Sequence, residues 1–498
     1  MKASKALAVQ EGIPRALLAL LTLAIPAGLF TGCGAALTAP TGSTNVMVLM
    51  TSTANDQLVG FQVNIANIAL ADKAGNSALL YNNPSALGVG GAGPGEWMHL
   101  NGFSEPLVTT VSVPQGTYTS ATLTAGACWF AVLALAASAS EWGPNIYAYE
   151  PCTLGGGMPT VNLPSPIAIS GPDMVLSLNL QVPQSYTLNT STSPATFTIS
   201  PVFTLTPVAI SSPPTNEQNG KLGPILSLIN SVSSTGNSFV AQTSNGVSIS
   251  VICDDSTTYQ GIEGLSSLTS GVIVDMDLAI QPDLSLLATR VEAPAPAAPM
   301  ALLGPLMYGP STDPYDWFTS WQIGGLGCNN AGPMYCINVF LYNPSTTYGV
   351  SGAYNNLPAL PFAASLSLSG LFIGQNIYVF TPGNPNSQGV DTATLVSLAP
   401  QTIDGTVGAI ASNNGFTVYT VTLAPNDPIP TAQQWVCPGC FNPLSNPTTV
   451  TVYVDANTRL LNSTPINVGS VVRFTGLIFD DNGTLRMDCG QILDGVPE

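Results

Sequence analysis

The sequence predicts an all-β protein, an N-terminal β-sandwich followed by tandem small β-barrel-like modules. Three observations carry that prediction. Apolar and polar residues alternate with a period of two, not 3.6, along most patterned stretches. Asn-Gly dipeptides join such stretches as hairpin turns would. A Gly-led strand pattern also recurs down the second half of the chain. At 498 residues with 48 Gly and 42 Pro, the chain is long enough for several domains and rich in turn formers.

The N-terminus carries an address. Lys2, Lys5 and Arg15 precede an uncharged apolar run from Ala16 to Phe30, the pattern of a secretory signal and short for a membrane-spanning helix. Leu29-Phe30-Thr31-Gly32-Cys33 follows and resembles a bacterial lipobox. That resemblance implies a signal peptide over residues 1–32, lipidation of Cys33 and a tether over 33–43. Gly34, which lacks the Asp that favours retention in the inner membrane, points to the outer membrane. The alternative is secretion without an anchor.

Residues 44–208 form the expected sandwich. Phe61, Val63 and Ile65 alternate, slip at Ala66-Asn67 as at a bulge, and resume with Ile68 and Leu70. Leu176, Leu178, Leu180 and Val182 alternate with Ser177, Asn179 and Gln181. Ala125 to Ala139 is the one run with helical composition, and inside a strand-rich module it reads as a buried core segment. Residues 209–218, with Ser211-Ser212-Pro213-Pro214, break the module as a linker.

Three degenerate copies follow, at 219–293, 300–399 and 400–494, the first two separated by the Pro/Ala spacer 294–299. Thr257-Thr258-Tyr259, Thr346-Thr347-Tyr348 and Asn457-Thr458-Arg459 occupy matching places, each ahead of Gly271, Gly374 or Gly469 and a closing strand. Asn245-Gly246 predicts a tight primed hairpin turn, and Asp480-Asp481-Asn482-Gly483 predicts another.

Charge and composition exclude several functions. With 9 Lys+Arg against 27 Asp+Glu and a formal charge of -18, the chain has no basic footprint for nucleic acid. Removing residues 1–32 takes away Lys2, Lys5, Arg15 and Glu11 and brings the charge to -20. An anchor would therefore be the lipid itself, since an acidic surface is repelled by anionic headgroups. His99 is the single histidine, which removes most histidine-dependent catalytic and metal sites. It reads as a structural or hydrogen-bonding residue, and no cofactor or metal is expected. Glu141 and Glu150 flank an aromatic stretch without any spacing that marks a glycosidase pair. Asp254-Asp255 and Asp480-Asp481 read as turn residues.

Export favours disulfides. Cys128 with Cys152 and Cys328 with Cys336 are the expected pairs, while Cys253, Cys437, Cys440 and Cys489 stay ambiguous. Cys437-Pro438-Gly439-Cys440 reads as a loop bridge, or as a partner of Cys489, in preference to a redox site, because no βαβ pattern surrounds it. Candidate ligand-binding aromatics are Tyr315, Trp317 and Trp321, with Trp142, Tyr147 and Tyr149 as a second patch. The competing reading of Trp317 and Trp321 is that they plug a core.

Several stretches carry a family resemblance. Val46-Met47-Val48-Leu49-Met50, Phe61-Gln62-Val63-Asn64-Ile65, Trp97-Met98-His99-Leu100 through Glu105-Pro106-Leu107, and Val113-Pro114-Gln115-Gly116-Thr117-Tyr118 resemble the exported domain of unknown function 4382. The repeats resemble the domain of unknown function 5666, and the whole order is similar to envelope lipoproteins of acidobacterial type. The Pro-x-Gly-Thr-Tyr pattern is also similar to immunoglobulin/transthyretin-like and carbohydrate-binding sandwiches, which implies glycan binding. The expectation is therefore a lipid-anchored envelope protein with a non-catalytic binding role. A structural or assembly component that contacts other envelope proteins is the alternative, and a carboxylate-dependent hydrolase is a third.

Overall fold

The computed structural model describes residues 42–53, 58–87, 95–100, 103–133, 146–151, 159–189, 196–214, 219–306, 321–323, 338–340, 345–351, 357–383, 390–425, 427, 429–430, 444, 446–460 and 464–494. The described chain is all-β, with helical turns of three residues at most among its named elements.

The N-terminal module contains β1 (Ser43–Ser52), β2 (Leu58–Asp72), β3 (Ser77–Asn82), β4 (Ser104–Pro114), β5 (Gly116–Leu133), β6 (Ile146–Pro151), β7 (Thr160–Asn162), β8 (Ile167–Ile169), β9 (Asp173–Leu180), β10 (Tyr186–Asn189), β11 (Thr196–Ile199) and β12 (Val202–Val208). One sheet has the order β4-β1-β9-β12-β7, and a second runs β3-β2-β5-β6 with β8 on β5. They share one core in which Val46, Val48, Met50, Phe61, Val63, Ile65, Leu176, Leu178 and Phe203 meet. The alternation read at Leu176–Leu180 is thus a strand with one face on this core. Register shifts between Val63 and Asn67 confirm the bulge expected there. The Ala125–Ala139 run is not helical where it is described, because β5 continues through it to Leu133. Its pairing with β2 satisfies the backbone that a helix would have satisfied internally.

β1 is buried along nearly its whole length. Val46, Val48 and Met50 face the first core, while Met47 and Leu49, with Val175, join the core of the next module. A strand covered on both faces needs a near-continuous apolar run, which explains Val46-Met47-Val48-Leu49-Met50.

The first copy holds β13 (Lys221–Val232), β14 (Ser238–Thr243), β15 (Ser248–Ile252), β16 (Thr258–Gln260), β17 (Ile273–Ile280) and β18 (Leu286–Glu292). The second holds β19 (Met300–Pro305), β20 (Trp321–Ile323), β21 (Asn338–Phe340), β22 (Thr347–Val350), β23 (Asn376–Thr381), β24 (Val390–Thr392) and β25 (Leu395–Leu398). The third holds β26 (Gln401–Asn413), β27 (Phe416–Leu423), β28 (Thr449–Val454), β29 (Arg459–Leu460), β30 (Val471–Asp481) and β31 (Thr484–Asp494).

The first and third copies match strand for strand, as β15-β14-β13-β17-β18-β16 and β28-β27-β26-β30-β31-β29. In each the sheet closes on itself through a parallel contact, β15 on β18 and β28 on β31. Two of their irregularities coincide as well, between Ile229/Ser231 and Val407/Ala409, and between Asp277/Leu278 and Thr475/Gly476, while the shift at Leu222/Ile225 belongs to the first copy alone. The second copy keeps the order β20-β19-β23-β25-β22.

Two local devices recur in all three copies. Gly271, Gly374 and Gly469 have φ of 90°, 88° and 89°, and their N–H groups donate to Ile229, Leu306 and Val407. Only glycine enters that region freely. The hydroxyls of Thr257, Thr346 and Thr458 donate to the carbonyls of Ala288, Ala393 and Cys489 at 2.8, 2.7 and 2.7 Å. This corrects the sequence alignment by one residue in the third copy, where Thr458 corresponds to Thr257 and not to Thr258.

The turns divide. Asn482 and Gly483 both have positive φ, as a primed turn requires, whereas at Asn245-Gly246 only the glycine does. The expected primed turn is therefore replaced by a looser one in which Gly246 donates to Thr243. Asn245 is held by its side chain instead.

Neighbouring modules share cores. Leu226 and Ile273 of the first copy pack with Ala301, Leu303 and Phe380 of the second, and Leu477 and Phe479 of the third join the second copy's core. The Gln375 side chain donates to the carbonyl of Ile478 at 3.0 Å.

Candidate functional site

Trp97 anchors the first polar assembly. It is fully buried, its indole N–H donates to Val63 at 3.2 Å, and its ring meets Phe203 edge-on at 5.2 Å. The short turn Met98–Leu100 follows and sets Glu96 and His99 side by side. His99 Nδ1 lies 2.5 Å from Glu96 Oε2, and Nε2 lies 3.0 Å from the Ser244 hydroxyl and 3.6 Å from Glu105 Oε1. Burial alone would lower the imidazole pKa, but hydrogen bonds and charge from Glu105 and Glu96 raise it to about 10. The Ser-His-Glu line has the outline of a nucleophilic triad. At neutral pH, however, its imidazolium donates from both nitrogens and has no lone pair with which to take a serine proton. The arrangement works as a joint between modules, in line with the hydrogen-bonding role read from the sequence.

A second assembly sits on the first copy. Arg290 reaches Asp277 at 3.0 Å, Glu292 at 2.8 Å and Asp275 at 3.1 Å. The Ser351 hydroxyl of the second copy lies 2.9 Å from both Asp275 Oδ2 and Glu292 Oε2. Burial raises Asp275 to about 6 against the pull of Arg290.

The third feature is a cleft of about 360 Å³. Lys221, Gly223, Pro224 and Asp277 of the first copy form one wall. Asp455, Asn457, Arg459, Thr475, Asp488 and Gln491 of the third copy face them, and Phe103 of the N-terminal module adds an aromatic ring. The Asp455 turn is built like its counterpart. Asp455 Oδ1 accepts the N–H of Asn457 as Asp254 Oδ1 accepts that of Ser256, each at 2.8 Å. Burial, and then the charge of Asp455, raise the Asp488 carboxyl to about 6. Gln491 is 3% exposed, and its Oε1 has no hydrogen-bond partner among the described residues.

Most residues singled out from the sequence are not among those that the structure describes. Cys33, Trp142, Cys152, Tyr315, Trp317, Cys328, Cys336, Cys437 and Cys440 are outside the described residues, as is Glu141. Tyr147, Tyr149 and Glu150 lie on β6, Trp321 on β20 and Cys128 on β5. Cys489 is a buried free thiol, as is Cys253, so the bridge from Cys437 or Cys440 to Cys489 is overturned. Cys489 lies instead inside the third core, on a strand whose neighbours enclose it. Asp254 and Asp480 cap turns as expected, accepting the N–H of Ser256 and of Gly483.

Sequence reading missed the cleft. Its signal was the one-residue correction at Thr458, which puts Asp488 and Gln491 where the first copy has Leu287 and Arg290. Among the described residues no cluster of His, Cys, Asp and Glu could hold a metal ion, and no helix is long and apolar enough to cross a membrane.

Residues 223–292 match the domain of unknown function DUF5666. The match covers β13 from Gly223 through the end of β18, which is the first copy. No curated protein matches the chain.

Proposed function

We propose that the chain is an exported, lipid-anchored protein of the bacterial cell envelope, placed at the outer membrane, with a non-catalytic binding role toward carbohydrate. The cleft carries the binding half of this reading. Sugars present rings of hydroxyls with apolar faces, and they are held by converging amides, hydroxyls and carboxylates beside an aromatic ring. Asn457, Gln491, Thr475, Asp455, Asp488 and Phe103 supply that set. The export half is supported by the apolar run Ala16 to Phe30 and by Leu29-Phe30-Thr31-Gly32-Cys33. The likeness of the N-terminal module to the domain of unknown function 4382 and to immunoglobulin/transthyretin-like sandwiches is part of the same reading, with two sheets on one core in its favour.

Two measurements test it. Intact mass of protein extracted from membranes of an expressing bacterium should start at Cys33 with added acyl chains, and an unlipidated chain cut elsewhere removes the anchor. A glycan array probed with the full chain should give sugar-selective signals, and a blank array removes the carbohydrate reading.

A second reading, a structural or assembly component of the envelope, is favoured by the shared cores and cross-module hydrogen bonds such as Gln375 to Ile478. Loss of an envelope complex on deletion, with no sugar bound by the isolated chain, would establish it.

A further inference from the structure

The first and third copies share one strand order, and at one matched set of positions the first is closed by its own side chains. In the first copy Arg290 takes up Asp277, Glu292 and Asp275. In the third copy the matching register pair, Thr475 opposite Gln491, stands where the first has Asp277 opposite Arg290. Asp488 stands where the first has Leu287, and the two residues pair with Tyr453 and Ile252 in the parallel contacts that close the two sheets. The strand order and two of the register irregularities are retained, so these exchanges are not needed to build the sheet. They leave an amide oxygen on Gln491 that is buried and has no hydrogen-bond partner among the described residues. An unmet buried acceptor is destabilising. Gln491 is one of the residues that line the cleft.

We infer that Gln491 and Asp488 are the specificity-determining pair of the cleft, the Gln491 Oε1 accepting from one hydroxyl of a neutral sugar and the Asp488 carboxyl donating to another. This assignment rests on the cleft being a ligand site. The charge pattern selects a neutral ligand. Lys221 and Arg459 stand against Asp277 and Asp455 in the lining, and Asp488 adds no charge while it keeps its proton. Asp488 holds that proton up to about pH 6 through burial and the charge of Asp455. Binding is therefore favoured on the acidic side.

The test is calorimetric titration of the full chain with glucose, galactose, mannose, xylose, cellobiose, maltose and lactose across that pH range. The unmodified chain should bind a sugar on this panel and lose roughly tenfold in affinity as Asp488 ionises. Asp488→Asn, which keeps a donor and cannot ionise, should hold its affinity across the range. Gln491→Met should lose about tenfold or more at every pH. Thermal melts confirm that each variant is folded, and the pH profile of the unmodified chain reads the assignment without any substitution. Sugar binding that is flat with pH and untouched by both substitutions overturns this assignment alone, and moves the site to the aromatic residues. Binding to no sugar on the panel overturns the carbohydrate reading and this assignment with it.

Discussion

Asn245 closes a two-bond ring with the peptide of Glu96, 149 residues earlier in the chain. The Glu96 N–H donates to Asn245 Oδ1 at 2.9 Å, and Asn245 Nδ2 donates to the Glu96 carbonyl at 3.2 Å. The same oxygen takes the Gly95 N–H at 2.9 Å, and the same nitrogen reaches Glu105. One side-chain amide thus spends its full hydrogen-bonding capacity on the N-terminal module.

Removing that amide is predicted to be costly. Asn245→Ala leaves two backbone donors and the Glu105 carboxylate without their partner, and the expected loss is about 2–4 kcal/mol. Urea unfolding checks it, and a change below about 0.5 kcal/mol would show that the joint carries no stability.

The His99 joint should have a defined pH window. Its folded pKa, raised to about 10, exceeds the ordinary value of 6.5. Its contribution is therefore full below about pH 6.5 and lost as pH rises through 10. His99→Gln is expected to flatten the alkaline limb of the stability profile by a few kcal/mol. An unchanged alkaline limb would contradict the charged imidazole.

Asp275 works at lower pH with the same sign. Its carboxyl is raised from 3.8 to about 6, so its contribution is present below about pH 4 and lost as pH rises through 6. Asp275→Asn should remove that dependence and leave the protein about 1–3 kcal/mol more stable near neutrality than the unmodified chain. Arg290→Met, by contrast, strands three carboxylates and is expected to cost about 3–5 kcal/mol. Thermal melts over the pH range distinguish the two.

Two classes of glycine should respond differently to alanine. At Gly405 and Gly476 a Cβ would collide with the carbonyls of Thr422 and Asp488, and the expected cost is about 1–3 kcal/mol. At Gly271 and Gly469 a Cβ meets open space and only the positive φ resists it, for about 1–2 kcal/mol. Alanine tolerated at Gly476 would mean that β30 and β31 can separate.

The buried thiols are expected to be silent. Burial raises the pKa of both Cys253 and Cys489, so the reactive thiolate is scarce at neutral pH and labelling by a thiol reagent should be slow until the protein unfolds. Rapid native labelling at either residue, read by peptide mass, would contradict the packing.

The all-β class and the repeat are legible in local sequence pattern. Period-two patterning at Leu176–Leu180 and the glycines at 271, 374 and 469 are local facts, set by which side chains a strand can bury and which backbone angles glycine alone tolerates. The role of Asp254 and Asp480 in turns was legible for the same reason. Tertiary structure decided the rest. Asn245 was read as a turn residue because its neighbour is glycine, and its partners at Gly95, Glu96 and Glu105 come from another module. Cys489 was a candidate for a bridge until packing enclosed it. The cleft was hidden because Asp277, Asp488 and Gln491 sit on strands of separate copies. Whether a strand's side chain meets a partner or an opening depends on what packs against that strand, which no local pattern records.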